Sequence, residues 1–310
     1  MKLYAMKWNG LLCTLALLAA SNSPPCIYAD TTSDIANVEK AAKADAVAGA
    51  DLRPTFQKWG LPPRVQGGRG TCSVFTMTGA LEFALATHEG KATRLSVEYL
   101  NWAKNIAFIR TVDGGNFADL WAGFQESGIC PDCDMPYRPN YDWKQGPSPE
   151  ARADAKKLPR PDFRMHWIKT WDISTGVTDE QFQAIKQVLR NGWPVCGGFR
   201  WPSAPDWKDG VLQMAPADKV YDGHSVLLIG YIEDPKMPGG GAFILRNSNT
   251  DKDDGQMCFE YARAYLNDAL WIDADKAPVP TATTFQKRVT GRLRNYFISR
   301  LRQRAFESRL

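Results

Sequence analysis

The chain has 310 residues, 44% of them hydrophobic and 23% charged, with a formal net charge of +4. That composition excludes a disordered or low-complexity polymer, and the length supports one large domain or two medium ones with a substantial core. The charge is uneven, since residues 287–310 hold eight Lys or Arg against one Glu and leave a slightly acidic body before them.

Lys2 and Lys7 precede a short apolar run, residues 11–20 (LLCTLALLAA), and a polar segment then leads to the small residue Ala29. The run is too short for the roughly 20 residues of a membrane-spanning helix. This is the pattern of a secretory signal peptide over residues 1–29, so the mature protein is expected to be exported, secreted or periplasmic. Residues 30–51 are rich in Ala and charge and are expected to form a short helix or an arm. Domain-like sequence follows over residues 52–276. In residues 72–88, Val74, Met77, Leu81, Ala84 and Leu85 recur at helical spacing, and Gly90 is placed to end the helix. Ser96 is placed to cap a second helix through Tyr99, Leu100 and Trp102, and residues 117–127 form a third, stopped by Gly128. Thr178 and Gln181 make a capping box for a helix ending near Gly192. Four strand-like runs come after it: WPVCGGFR, SVLLIGYI, GAFILRN and QMCFEYA. The expected class is therefore α+β, with a helical lobe to about residue 160 and a sheet-rich lobe to about residue 275. In the tail, residues 277–310, Leu293, Phe297 and Leu301 lie four apart among arginines. That spacing describes an amphipathic basic helix suited to an anionic surface or acidic partner, or to docking on the chain's own acidic body.

The cysteines are Cys13, Cys26, Cys72, Cys130, Cys133, Cys196 and Cys258, and cleavage after Ala29 leaves five. Disulfides persist outside the cytosol, and Cys196 and Cys258, on strand-like runs of one lobe, are the expected pair, with buried free thiols the alternative. Cys130 and Cys133 form a C-x-x-C without the strand–helix setting of a redox motif and without the second pair of a zinc site. An odd thiol remains, and Cys72 is the candidate. It stands in QGGRGTCSVF, residues 66–75, where a helix begins and where the positive helix end stabilises a thiolate. A histidine is needed to complete the activation. His88 reads as surface and His166 as packing, whereas His224 stands at the mouth of an apolar strand just after Gly223. Asn247 and Ser248 end the next strand-like run. If the two strands pair as a hairpin, the Asn247 amide can accept from one imidazole nitrogen while the other faces the thiol. Residues 251–256, DKDDGQ, put Thr250 and Lys252 at the ligand positions of an EF-hand and so fail as a calcium loop. GGRG lacks the strand before it and the Gly-Lys-Ser/Thr after it that a phosphate loop needs. No metal or cofactor is expected.

In this order the segments resemble the papain-like cysteine peptidases. QGGRGTCSVF is similar to that family's glutamine, glycine-rich turn and nucleophile opening a helix, and LSVEYL to its second helix. DGGNFADLWAGF is similar to the Gly-Gly segment and third helix, DMPY to the Tyr-Pro-Tyr stretch, and GHSVLLIGY and LRNSN to the Gly-His strand and Asn-Ser turn. The likeness covers about residues 52–272, with 152 residues from Cys72 to His224 and 175 to Asn247, against roughly 130–150 in the family. It implies a two-lobed fold with the active site between a helical lobe and an antiparallel sheet or barrel lobe. It further implies Cys72 as nucleophile, His224 as general acid/base, Asn247 as orienting amide and Gln66 as oxyanion donor. Gly114 and Gly115 would pair with an extended peptide, and Gly198 and Gly223 would lie near the wall of the main specificity pocket, leaving room for a large side chain. Asp222 beside them would favour a basic one.

The departures are specific. Arg69 stands where the family has a cysteine three residues before the nucleophile, and Val112 where it has the disulfide partner, so both halves of that bridge are gone together. Ser73 replaces the tryptophan after the nucleophile, and Asn249 the one after Asn-Ser, which covers the His–Asn contact; a wetter, looser pair is expected. About 20 residues separate the signal from the catalytic lobe, which leaves no room for the family's long inhibitory pro-region. The expected partner is a peptide or protein substrate. Transfer of the acyl group to an amine, and a papain-fold binding protein without catalysis, are the rival readings.

Overall fold

The computed structural model describes residues 49–158, 162–249 and 254–274. The expected signal peptide, nearly all of the arm, residues 251–253 and the basic tail lie outside the described residues. The first half is helical: α1 (Arg53–Lys58), α2 (Cys72–Glu89), α3 (Val97–Phe108), α4 (Phe117–Ser127) and α5 (Pro149–Ala155). The second half carries α6 (Asp179–Arg190) and α7 (Phe259–Tyr265) among the strands β2 (Arg164–Lys169), β3 (Val195–Pro202), β4 (Trp207–Lys208), β5 (Val211–Leu212), β6 (Val220–Glu233), β7 (Gly241–Arg246), β8 (Gly255–Cys258) and β9 (Leu266–Asp273). A short strand β1 (Gly49–Asp51) precedes the helices and pairs antiparallel with β6, so the end of the expected arm belongs to the sheet. The strand order is β2-β9-β3-β6-β7-β8-β5-β4, mostly antiparallel, and β6 and β7 form the expected hairpin.

Local signals account for the helix ends. Ser96 accepts from the Tyr99 N–H and opens α3. Thr178 and Gln181 close a reciprocal capping box at α6. Gly90, at φ 72°, ends α2 in the left-handed conformation that costs glycine least. Helix α2 is the spine of the molecule. Most of its side chains are buried, because it packs on β6, β3 and β9 on one side and on α3 and α4 on the other. Gly79 allows that approach, since a methyl group there would lie 3.2 Å from Leu227 Cδ2. Cys72, the first residue of α2, is thus held where the helical lobe meets the sheet.

Three findings correct the sequence reading. The QMCFEYA run divides into β8 and helix α7, because a short apolar run carries no periodicity that separates strand from helix. Strands β2 and β9 were not anticipated; β2 carries His166, which stacks on Trp271 at 4.2 Å and pairs with Asp273 at 3.2 Å, a packing role. Cys196 and Cys258 do not form a disulfide; all five described cysteines are free. Cys196 lies on β3 and Cys258 on β8, three strand steps apart in the sheet. Register adds to this: Cys196 aligns through Leu227 with Arg246 and Cys258 with Ala242, so the two are also offset by four residues along the strands, well beyond the reach of a disulfide. Among the described residues no helix is long and apolar enough to cross a membrane.

Candidate active site

Gln66 reaches the start of α2 by way of the glycine-rich turn. Its backbone N–H donates to Ser248 C=O at 2.8 Å. Its carboxamide is held at both ends: Nε2 donates to Arg69 C=O at 2.7 Å, and Oε1 accepts from Ser248 Oγ at 2.7 Å. Those partners assign the two ends of the amide and leave one N–H of Nε2 without a partner among the described residues. The backbone N–H of Cys72 is likewise free of helical bonding, as the first N–H groups of a helix are. Tyr137 of DMPY steadies the turn, with its hydroxyl donating to Gln66 C=O at 2.8 Å and lying 2.7 Å from Thr71 Oγ1.

On the opposite side, β6 brings His224 to the same place. Phe199 pairs with His224 but Arg200 pairs with Asp222, so Gly223 is the extra residue of a β-bulge. Its φ of 116° suits glycine alone, and the space a methyl group would take is open. The glycine therefore serves backbone conformation rather than close approach, and the bulge sets the direction of His224. The Cys72 thiol donates to Gly223 C=O at 3.6 Å, which seats the sulfur against this bulge.

His224 Nε2 lies 2.9 Å from Asn247 Oδ1. The Asn249 N–H donates to the same oxygen at 3.0 Å, so the amide can present only its oxygen to the ring. Nε2 then carries the proton and Nδ1 keeps its lone pair, the tautomer that can accept a proton from a thiol. Burial pushes the Cys72 thiol up from its ordinary value, opposed by N–H groups of Ser225 and Ser73 and by the Ser225 hydroxyl. Burial pushes His224 down, opposed by its hydrogen bond to Asn247. Both directions favour a neutral thiol beside a neutral imidazole in the free protein.

The expectation of a wetter, looser His–Asn pair is not met. His224 and Asn247 are both buried, and Trp201 on β3 lies over the imidazole with ring centroids 4.4 Å apart. A tryptophan from a neighbouring strand thus covers the histidine in place of one at residue 249. No local motif marks Trp201, because its contact depends on the bulge-shifted register of β3 against β6.

The residues expected around the substrate are met unevenly. Gly114 N–H donates to Asn101 Oδ1 at 3.1 Å, Gly114 C=O accepts from Lys104 Nζ at 2.5 Å, and Gly115 N–H donates to Ser73 Oγ at 3.2 Å. Of the four backbone groups expected to pair with a peptide, only Gly115 C=O lacks a partner among the described residues. At Gly198 a methyl group would lie 2.1 Å from Asp268 Oδ1, so a buried carboxylate stands against the backbone there and only glycine fits. Asp268 is reached across the β3–β9 pairing, which short-range pattern does not reveal. Asp222 holds a β6 position opposite Arg200, and its side chain lies outside the described part of the structure. Among the described residues no group of three or more His, Cys, Asp or Glu is placed to hold a metal ion.

A thiol at a helix start, a histidine bonded to an asparagine and an anchored glutamine thus come together on a two-lobed α+β fold. The model of the papain family of cysteine proteases matches residues 50–265, and the chain belongs to that family. Solved structures share the fold at low identity. Xylellain, a cysteine protease from Xylella fastidiosa, is 19% identical with a TM-score of 0.57, over 80% of this chain and 90% of that one. Digestive procathepsin L 3 of the Tenebrio molitor larval midgut is 16% identical with a TM-score of 0.53, over 78% and 79%. The cysteine protease and lectin-like domains of Cwp84, a surface layer associated protein of Clostridium difficile, are 15% identical with a TM-score of 0.54, over 76% and 53%. No curated protein sequence matches the chain.

Proposed function

We propose that the chain hydrolyses peptide bonds through a thioester on Cys72. The observation that carries this reading is the His224–Asn247–Asn249 hydrogen-bond chain, which leaves Nδ1 as a base on the residue next to the Cys72 contact. The Cys72 proton passes to His224 Nδ1 as sulfur attacks the peptide carbonyl carbon. The resulting oxyanion takes hydrogen bonds from the free N–H of Gln66 Nε2 and from the Cys72 backbone N–H. His224 then gives the proton to the leaving amine, and the C–N bond breaks to leave the thioester. Water attacks the thioester carbon with His224 again accepting the proton, and the thiol is restored as the acid product leaves. The thiol must swing from Gly223 C=O toward the ring, a tightening that substrate binding commonly brings.

A peptide chain would dock along Gly115, with its N–H accepted by the Gly115 C=O. The signal-like residues 1–29 favour an exported enzyme, and the basic tail favours contact with an anionic surface. The deciding experiment is Cys72→Ala, expected to abolish cleavage of a peptide library that the wild type cleaves. Retained cleavage would sink the mechanism. Added amine nucleophile should leave hydrolysis the main outcome; amide products in excess of acid would favour the transfer reading.

A further inference from the structure

Arg69 lies three residues before Cys72, and its guanidinium is almost wholly buried. Nε and Nη2 donate to the two oxygens of Asp113 at 3.0 and 2.7 Å, and Nη1 donates to Glu98 Oε2 at 2.6 Å and to Arg138 C=O at 2.7 Å. The guanidinium lies 4.5 Å from the centroid of the Tyr137 ring, whose hydroxyl holds Gln66. The backbone of the same residue anchors the oxyanion candidate directly, through Arg69 C=O and Gln66 Nε2. Asp113 in turn immediately precedes Gly114 and accepts from Asn101 Nδ2 at 2.9 Å, while Asn101 Oδ1 holds the Gly114 N–H. One residue therefore links the glutamine turn to the glycine ledge.

The chemistry of that link is directional. A planar guanidinium meets a carboxylate with two parallel bonds, which an ammonium cannot reproduce. A buried ion cluster contributes little net stability compared with apolar packing of the same volume, but its bonds fix the relative orientation of three backbone segments. In the family it resembles, a disulfide would join the positions of Arg69 and Val112. Here the connection runs from residue 69 to residue 113 through charge, so reductant does not open it.

We propose that Arg69 is a positioning residue that holds the Gln66 oxyanion donor and the Gly114–Gly115 ledge in one fixed relation. Its bonds to Glu98 and the Arg138 C=O and its contact with the Tyr137 ring steady the Gln66 turn and so act on turnover, and its bonds to Asp113 steady the ledge and so act on substrate docking. The proposal rests on the peptidase reading of the site. It is tested with wild type, Arg69→Lys, Arg69→Met and Asp113→Asn, measuring kcat and KM on an extended peptide amide. The rate and pH profile of Cys72 alkylation by iodoacetamide are measured alongside. Alkylation should stay within about threefold of wild type with an unchanged pH profile, since the thiol and His224 are untouched. Asp113→Asn should raise KM at least about tenfold with little change in kcat, because the Arg69 contacts with Glu98, the Arg138 C=O and Tyr137 that steady the Gln66 turn survive. Arg69→Met should also lower kcat by about tenfold or more, with Arg69→Lys between the two.

Arg69→Met with wild-type kcat and KM would overturn the proposal, as would an Asp113→Asn defect confined to kcat. If Arg69→Met does not fold, Arg69→Lys decides, and wild-type kcat and KM in that variant overturn it. A wild type whose Cys72 alkylates normally but which cleaves no peptide overturns the peptidase reading itself, and this proposal falls with it.

Discussion

Replacing Gln66 by Ala probes the proposed oxyanion site most directly. The carboxamide uses Oε1 and one N–H to anchor itself to Ser248 and Arg69, so a single N–H remains to act on substrate. Loss of one such donor costs about 2.7–4 kcal/mol of transition-state stabilisation, or about 10²–10³ in kcat. The Cys72 N–H stays in place, which keeps the remaining rate above background. KM should change little, because the donor acts where charge develops rather than on the bound ground state. Truncation also leaves the Ser248 hydroxyl and Arg69 C=O without their partner, at about 1–3 kcal/mol each in stability, so the assay must be run on protein shown to be folded by thermal melting. Kinetics on a chromogenic peptide amide, normalised by titration of alkylatable Cys72, separate the two effects. Ser248→Ala serves as the graded control: it keeps the donor but frees one end of the amide. A loss of about 1 kcal/mol, roughly fivefold in kcat, is expected there. A folded, alkylatable Gln66→Ala that loses less than fivefold in kcat would refute the assignment.

Three further outcomes follow from the packing. Trp201→Ala should expose the imidazole, easing the burial that lowers His224, so its titration by NMR should move up toward the ordinary value of 6.5; an unmoved titration would contradict the covering role, and a stability loss of about 3–5 kcal/mol is expected alongside. Lys104, buried beneath the ledge, is lowered by burial to about 8 from 10.5. The unfolded chain holds that proton more tightly, so wild type should gain stability relative to Lys104→Met as pH rises from 8 to 10.5, by up to about 3 kcal/mol; parallel pH–stability curves would argue against it. Alkylation of the denatured, unreduced chain lacking residues 1–29 should modify all five cysteines, whereas three modified thiols would show a disulfide.

Much of this molecule was legible in the chain because its signals are short-range. Gly90, Ser96, Gly128 and the Thr178–Gln181 box act on backbone within a few residues, so helix boundaries could be placed from spacing alone. The β6–β7 hairpin was legible for the same reason, and with it the meeting of His224 and Asn247. The α7 segment was not, since its apolar run is too brief to show a period.

What only the tertiary structure decided depends on register and on which strands adjoin. Cys196 and Cys258 looked like partners until the sheet order put β6 and β7 between them. The bulge at Gly223 shifts β3 against β6 and brings Trp201 over His224, and the β3–β9 pairing puts Asp268 into the space above Gly198. Arg69 finds its carboxylates 29 and 44 residues away. The sequence by itself determined the fold class, the family and the elements that carry Cys72, His224, Asn247 and Gln66. How those residues are covered, anchored and tied to the ledge was decided by contacts between distant segments, because burial and hydrogen-bond geometry exist only once the two lobes have packed.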